Sequence, residues 1–280
     1  MSSTSKVVLV TGCSKGGIGF QLCEEFASRG CKVYATARRP DAMEGFTAGI
    51  ERLRLDVTDD ASVEAAVKII IEREGRIDIA VNNAGILCHY PLLDVPMADV
   101  KSTFDTNTYS VLRISQAVVP HMAARRSGTV VNIGSIVGEI TTPWGGVYAA
   151  SKAAEQAISD TLWMECRPFN VSIMHVSSGG VISNIAQNMI SRFSLPSDSL
   201  YMPWLNAIVE RINRNQRSES LPTDVFARRV VDAAVGKHPP RYMTLGYPSG
   251  LWWLFSWLPR GWVLRLLWHV LAEKPKAKCG

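Results

Sequence analysis

A doubly wound α/β fold, with a parallel sheet covered by helices on both faces, is what this sequence predicts. Short β-branched runs alternate with longer amphipathic stretches, the pattern of successive βαβ units. A glycine-rich turn lies directly between the first such run and the first such stretch. At 280 residues and 47% hydrophobic, the chain is long enough to bury one large core. No Pro/Gly/Ser-rich linker and no internal repeat divides it. One domain over residues 1–247 is therefore expected, followed by a C-terminal segment over 248–280.

The elements follow in order. Lys6–Val10 reads as the first strand and Ile18–Ser28 as the first helix. Strands at Lys32–Ala37 and Arg52–Leu55 come next, then a helix over Ser62–Arg73 and a strand at Ile77–Val81. A long helical stretch runs from about 100 to 124, ahead of a strand at Thr129–Ile133. A helix over 147–166 and a strand at Val171–Val176 complete the pattern. Arg167-Pro168-Phe169-Asn170 ends that helix: proline cannot continue the ladder, and asparagine tolerates the left-handed conformation of a helix terminus.

Composition narrows the partners. Cys13, Cys23, Cys31, Cys88, Cys166 and Cys279 lack disulfide or metal-like spacing, which predicts free thiols in a reducing compartment. No His-x-x-x-His spacing appears, and no metal is expected. Val7-Val8-Leu9-Val10 is too brief for a signal-peptide core, so the domain is expected to face the cytosol. The formal charge is +5, and from Arg241 onward six basic residues face the single acid Glu273, leaving the preceding residues near neutrality. A nucleic-acid partner would leave a basic stripe on the domain, so none is expected.

The turn reads Thr11-Gly12-Cys13-Ser14-Lys15-Gly16-Gly17-Ile18-Gly19. Glycines there allow a sharp turn and let a pyrophosphate approach the helix N-terminus, where free N–H groups favour anions. The second strand ends in Ala37-Arg38-Arg39, with no acid before Asp41. An acid would hold a ribose 2′-hydroxyl, whereas arginine suits a 2′-phosphate. Arg38, Arg39 and Lys15 therefore favour NADP(H) over NAD(H); the alternative is a merely solvated loop.

Tyr148 and Lys152 are four residues apart, so in a helix they share a face. A cation beside a phenol stabilises its phenolate, which suits Tyr148 to proton transfer. Ser135 stands upstream at a strand end, placed to hydrogen-bond a carbonyl oxygen as negative charge develops on it. Lys152 can bias Tyr148 and hold a ribose, and Asn107 can bind a water that relays a proton to Lys152. Taken singly, Ser135 is equally a strand cap and Asn107 a helix-bend residue.

In order and spacing, the glycine loop, Leu55-Asp56-Val57, Asn82-Asn83-Ala84-Gly85, Asn107, Ser135 and Tyr148/Lys152 make the chain from about Lys6 to Tyr247 resemble a short-chain dehydrogenase/reductase. The resemblance implies a Rossmann-type fold, an Asn107–Ser135–Tyr148–Lys152 tetrad, and a cofactor site including Gly12, Ser14, Lys15, Gly17, Ile18, Gly19, Arg38, Arg39, Asp56, Val57, Asn83, Tyr148, Lys152, Val181 and Ser183. Asp56 would meet the adenine edge, and Asn82 would help fix the strand beside the cofactor. It also implies homodimerisation through the helices carrying Asn107 and Tyr148. One departure is Ser178-Gly179 where the family has Pro-Gly, which puts the rigidity of that loop in doubt; Ser183 takes the usual threonine's place. The extra glycine-loop residue, Ala-Arg-Arg and Ser-Gly-Gly-Val are similar to the fungal NADPH-dependent 1-acyldihydroxyacetone phosphate reductases. Carbonyl reductases of secondary metabolism and hydroxysteroid-type enzymes share much of this, and a non-catalytic, nucleotide-sensing adaptor is the competing class.

Residues 183–222 read as a substrate lid, rich in Ile, Met, Leu and aromatics. Ordinary core packing explains them, as does a pocket for a lipophilic substrate. Arg192, Arg211 and Arg214 are read either as meeting a phosphate or as solvated surface, and His89 either as lining the cleft or, in preference, as a partly exposed loop residue. Beyond 248, five of the eight tryptophans (Trp252, Trp253, Trp257, Trp262, Trp268) interleave with aliphatics, broken by Pro259-Arg260-Gly261. Neither half reaches the roughly 20 apolar residues of a membrane span. Two helices lying on a membrane are expected, aided by Lys274, Lys276 and Lys278, at the cytosolic face of the endoplasmic reticulum or a lipid droplet. A tail packed over the substrate cleft or at a subunit interface is the alternative, and a hairpin dipping into a droplet another.

Overall fold

The computed structural model describes residues 5–272. Strands β1 (Val7–Thr11), β2 (Lys32–Ala37), β3 (Glu51–Arg54), β4 (Ile79–Asn82), β5 (Gly128–Ser135), β6 (Val171–Ser178) and β7 (Tyr242–Leu245) form one sheet. Its order is β3-β2-β1-β4-β5-β6-β7, and the pairings are parallel. The chain crosses over between β1 and β4, so a crevice opens beyond their C-terminal ends, where ligands bind in such sheets.

Alternation along β1 shows why both faces are covered. Val8 and Val10 pack under α1 (Ile18–Ser28) and α8 (Thr223–Val235), against Leu22, Phe26, Phe226 and Val230. Val7 and Leu9 face the other way, toward α2 (Asp60–Glu74) and α4 (Ser110–Ala124), meeting Val67, Ile70, Ile114 and Val118. Each fully buried aliphatic side chain contributes about 1.5–3 kcal/mol. The sheet is held from both sides.

Three differences from the sequence reading bear on the site. β5 and β6 run on to Ser135 and Ser178, because the ladder continues through Gly134↔Ser177 and Ser135↔Ser178. Backbone pairing does not need apolar side chains, so the polar ends were invisible to the hydrophobic pattern. The stretch from 100 to 124 is not one uniform helix: α3 (Met97–Phe104) passes through a π turn at Asp105–Tyr109 before α4. Finally, α8 and β7 stand where no element was assigned; β7 is a short edge strand with little apolar alternation.

The C-terminal segment forms α9 (Ser249–Ser256) and α10 (Arg260–Ala272), which fold back onto the domain. Trp252, Phe255, Val263 and Leu267 are buried against Ile136, Val137, Ile140 and Ala149. Among the described residues no helix is long and apolar enough to cross a membrane. The packing alternative is therefore what the fold displays. Trp253, Trp257 and Trp262 nevertheless remain 65–74% exposed on the outer side. Lys274, Lys276 and Lys278 lie outside the described residues.

Candidate active site

α5 (Gly146–Glu165) carries Tyr148 and Lys152 on the face toward the sheet. Lys152 is buried, and its Nζ donates to the Ile133 carbonyl at 2.7 Å. Ser135, at the end of β5, donates its hydroxyl to the Ser178 carbonyl at 3.2 Å. Ser178 in turn donates from Oγ to the Gly134 carbonyl at 2.7 Å. That bond, with Gly179 N–H donating to Leu245 and Gly180 N–H to Tyr247, pins the loop that lacks its proline.

The side chain of Asn107 bridges two segments. Its Nδ2 donates to the Ile86 carbonyl and to Ser151 Oγ, while its Oδ1 accepts from Ile86 N–H. Both amide donors are thus occupied by protein. The π turn lets the next residue, Thr108, also reach α5 through the Ser151 carbonyl. A π bulge of this kind often marks a functional region. Here it clamps α5, and hence Tyr148, to the loop after β4.

Behind Lys152 lies a group that sequence reasoning missed. Glu155, buried, places a carboxylate oxygen 3.8 Å from Lys152 Nζ and another 3.4 Å from His175 Nδ1. Burial alone would raise its pKa, but the fields of Lys152 and His175 and the bond from Ser159 outweigh that and hold it low. Gly134 makes the space, since a Cβ there would stand 2.3 Å from His175 Cε1 and 2.9 Å from Glu155 Oε2. Lys+3 on the inward face of α5 was the available signal.

Two cavities meet at Tyr148. The larger, of about 450 Å³, is lined by Gly12, Ser14, Lys15, Gly17, Ile18, Arg38, Arg39, Asp56, Val57, Asn83, Tyr148, Lys152 and Ser183. Its floor fits a dinucleotide. Gly12 and Gly16 have φ of +72° and +77°, and a Cβ on Gly12 would meet Ala84 Cα at 2.8 Å. Gly19 does not line the cavity; it packs against the Gly12 carbonyl and Asn83. α1 opens at Gly17 with no side chain capping its first amides, which leaves them for an anion. Arg38, Arg39 and Lys15 are exposed and line the cavity. Burial would raise the Asp56 carboxyl, but two bonds from Thr58 and the charges of Arg38 and Arg54 hold it below its ordinary value. It can accept from an adenine amine. Asn82 donates to Asn132, and Asn83 ties β4 to the Thr11 and Gly12 carbonyls.

The smaller cavity, of about 210 Å³, shares Ile18, Tyr148, Ser178, Ser183 and Ile185 with the first. Ser135 and Val181 reach it, and Leu87, Ile212, Trp252 and Leu271 give it an apolar wall. Its polar residues correct two expectations. His89 is buried rather than partly exposed, with its ring centroid 5.8 Å from that of Tyr148. Arg211, on α7 (Leu205–Ile212), donates to Thr142 Oγ1 through Nε and Nη2 at 3.0 and 2.9 Å instead of facing bulk water. Arg192 lies elsewhere, donating to the Leu87 carbonyl.

A family model described as short chain dehydrogenase matches residues 6–192. The chain belongs to the short-chain dehydrogenase family. Among similar proteins, a short-chain dehydrogenase of Penicillium crustosum is 36% identical over 91% of this chain and 94% of its own length. An NADPH-dependent 1-acyldihydroxyacetone phosphate reductase of Schizosaccharomyces pombe is 37% identical over 83% of this chain and 79% of its own. Among solved structures, a short-chain dehydrogenase from Streptomyces avermitilis superposes with a TM-score of 0.78 and 26% identity, covering 90% of this chain and 92% of that one. This short-chain dehydrogenase is accordingly an oxidoreductase. With Lys15, Arg38 and Arg39 lining its dinucleotide cavity and an NADPH-dependent reductase among its relatives, its cofactor is NADP(H).

Proposed function

We propose that this short-chain dehydrogenase reduces a ketone on a lipophilic substrate of the 1-acyldihydroxyacetone phosphate class to the secondary alcohol. The observation that carries the reading is Tyr148 on the wall shared by a dinucleotide cavity and an amphipathic one. When bound, NADPH supplies the hydride. The chain's own residues handle the charge and the proton. Ser135 exchanges its bond to the Ser178 carbonyl for one to the substrate oxygen, where negative charge develops. Tyr148 delivers the proton to that oxygen. Lys152, one turn along α5, stabilises the phenolate left behind, and Glu155 supplies its counter-charge. Asn107 positions α5 through Ser151.

The apolar wall suits an acyl chain, and the arginines at the other end suit an anionic head group. The fission-yeast relative supports that choice over a steroid or polycyclic ketone. Location belongs to the same reading: the open tryptophans of α9 and α10, with exposed Arg260 and Arg265, support association with a lipid surface at the cytosolic face of the endoplasmic reticulum or a droplet. Tyr109, Leu112 and Met164, outward on the helices around the π turn and on α5, support homodimerisation.

The test is NADPH consumption in detergent, comparing a long-chain acyldihydroxyacetone phosphate with neutral steroid and polycyclic ketones. Turnover confined to neutral ketones would move the enzyme to specialised metabolism. Tyr148→Phe is expected to lose at least about 100-fold in turnover while still binding NADPH. Wild-type rates in that variant would remove Tyr148 as the proton donor.

A further inference from the structure

Three polar side chains of the smaller cavity are left without the partners their chemistry calls for. His89 is 2% exposed, and neither ring nitrogen has a hydrogen-bond partner. Arg211 has Thr142 as its hydrogen-bond acceptor but no carboxylate within ion-pair distance among the described residues. Arg214, one turn further along, likewise has none. Both guanidiniums are half-buried because they open onto the cavity; burial and then the charge of Arg214 disfavour the cation at Arg211, and burial and then the charge of Arg217 disfavour it at Arg214. Buried like charges and an unpaired imidazole cost stability. Such an arrangement makes sense when a ligand completes it.

We infer that His89, Arg211 and Arg214 form a subsite for a phosphate monoester carried by the substrate close to its reacting ketone. The subsite rests on the reductase reading and identifies what that reading leaves open: which residues select the head group. Thr142 holds two of the guanidinium's donors at Arg211, so the side chain is set before the ligand arrives. The His89 ring centroid lies 5.8 Å from that of the catalytic phenol, and the cavity that holds the arginines also reaches Ser135 and Tyr148, which puts the anion near the carbonyl those two address. Two cations and an imidazole donor match a dianion better than a carboxylate. Burial and then the charge of Arg214 lower the Arg211 pKa to about 10, and an arriving anion reverses that destabilisation. Leu87, Ile212, Trp252 and Leu271 then take the acyl chain.

The experiment is direct binding to the full chain saturated with NADP+, which needs no turnover. Two product analogues are compared, 1-hexanoylglycerol 3-phosphate and 1-hexanoylglycerol, whose short chains remain monomeric. The phosphorylated compound is expected to bind at least about 30-fold more tightly. Arg211→Met should cut that preference below about threefold, and Arg211→Lys, which keeps the charge without the fork, should lose about tenfold. Equal binding of the two compounds by the wild type overturns the subsite without any variant. So does an undiminished preference in either variant, and a carboxylate analogue binding as tightly as the phosphate overturns the dianion assignment. If phosphate preference holds while no ketone is reduced, the reductase reading fails and the subsite stands.

Discussion

Gly19→Ala probes the cofactor floor from a residue that does not line it. A Cβ at Gly19 would lie 2.5 Å from the Gly12 carbonyl oxygen and 2.5 Å from Asn83 Nδ2. One neighbour is backbone, so rotation cannot relieve it. The other is the amide that donates to Thr11 and Gly12 at 2.8 and 3.1 Å. Overpacking of this kind costs about 1–3 kcal/mol, and losing one of Asn83's two bonds adds about 1 kcal/mol. The total of about 2–4 kcal/mol divides between folding and cofactor affinity. Half of it on affinity alone would weaken NADPH binding about fivefold to thirtyfold. Nicotinamide fluorescence reads the affinity, and a thermal midpoint reads the remainder. Gly250→Ala, at a site with nothing within 4 Å, is the control and should leave both unchanged. If Gly19→Ala bound NADPH within twofold of wild type at an unshifted midpoint, the crowding argument would be wrong.

Arg38→Ala combined with Arg39→Ala should reduce the NADPH-over-NADH preference by about tenfold or more, an effect limited by solvent screening of exposed charges; a steady-state ratio that does not move sinks the 2′-phosphate assignment. Glu155→Gln leaves Lys152 without its counter-charge and should cost about 3–5 kcal/mol at pH 7 by denaturant unfolding. The sign with pH follows from a folded pKa held below the unfolded value of about 4.3. The carboxylate's contribution is complete above that value and disappears as pH falls through the lower folded one, so the gap between the two curves should narrow as pH falls below about 4. A gap constant down to pH 3 would show that Glu155 does not carry it. Removing residues after Gly250 takes away Trp252, Phe255, Val263 and Leu267, each worth up to about 1.5–3 kcal/mol of burial. The truncated chain should unfold at least several degrees lower and lose flotation with vesicles; an unchanged midpoint would mean the tail does not pack on the domain.

The cofactor half of the site was legible because it is local. Gly12 to Gly19, Arg38–Arg39 and Tyr148/Lys152 each sit within one turn or one helix, so spacing alone brings them together. The substrate half is assembled from four distant segments: the loop holding His89, the loop holding Thr142, α7 with Arg211, and the tail with Trp252 and Leu271. No spacing rule links these, so spacing alone does not decide between cleft and solvent for His89 or Arg211, although the fold buries one and encloses the other. Asn107 was found by its place in the order, but its occupation by Ile86 and Ser151 depends on a π turn that hydrophobic periodicity does not encode. Glu155 passed for an ordinary helical acid because inward and outward faces of α5 differ only once the sheet is in place.

The tail can be read two ways from sequence, and the fold displays the packed one. In α10, Val263, Leu267 and Leu271 recur every four residues and face the domain, Val263 and Leu267 buried and Leu271 lining the cavity. Trp262, Leu266 and Val270 recur at the same interval one position earlier and are 66%, 46% and 63% exposed. A helix apolar on nearly all sides belongs inside a protein core or against lipid, since water tolerates only one such stripe when it is covered. The first stripe is accounted for by Ile136, Val137 and Ile140. The second is not, and Arg260 and Arg265 flank it rather than interrupt it. Packing over the cleft therefore explains half of the tryptophan-rich segment and leaves the outer half as the part that a lipid surface would cover, on the same two helices whose inner residues close the substrate pocket.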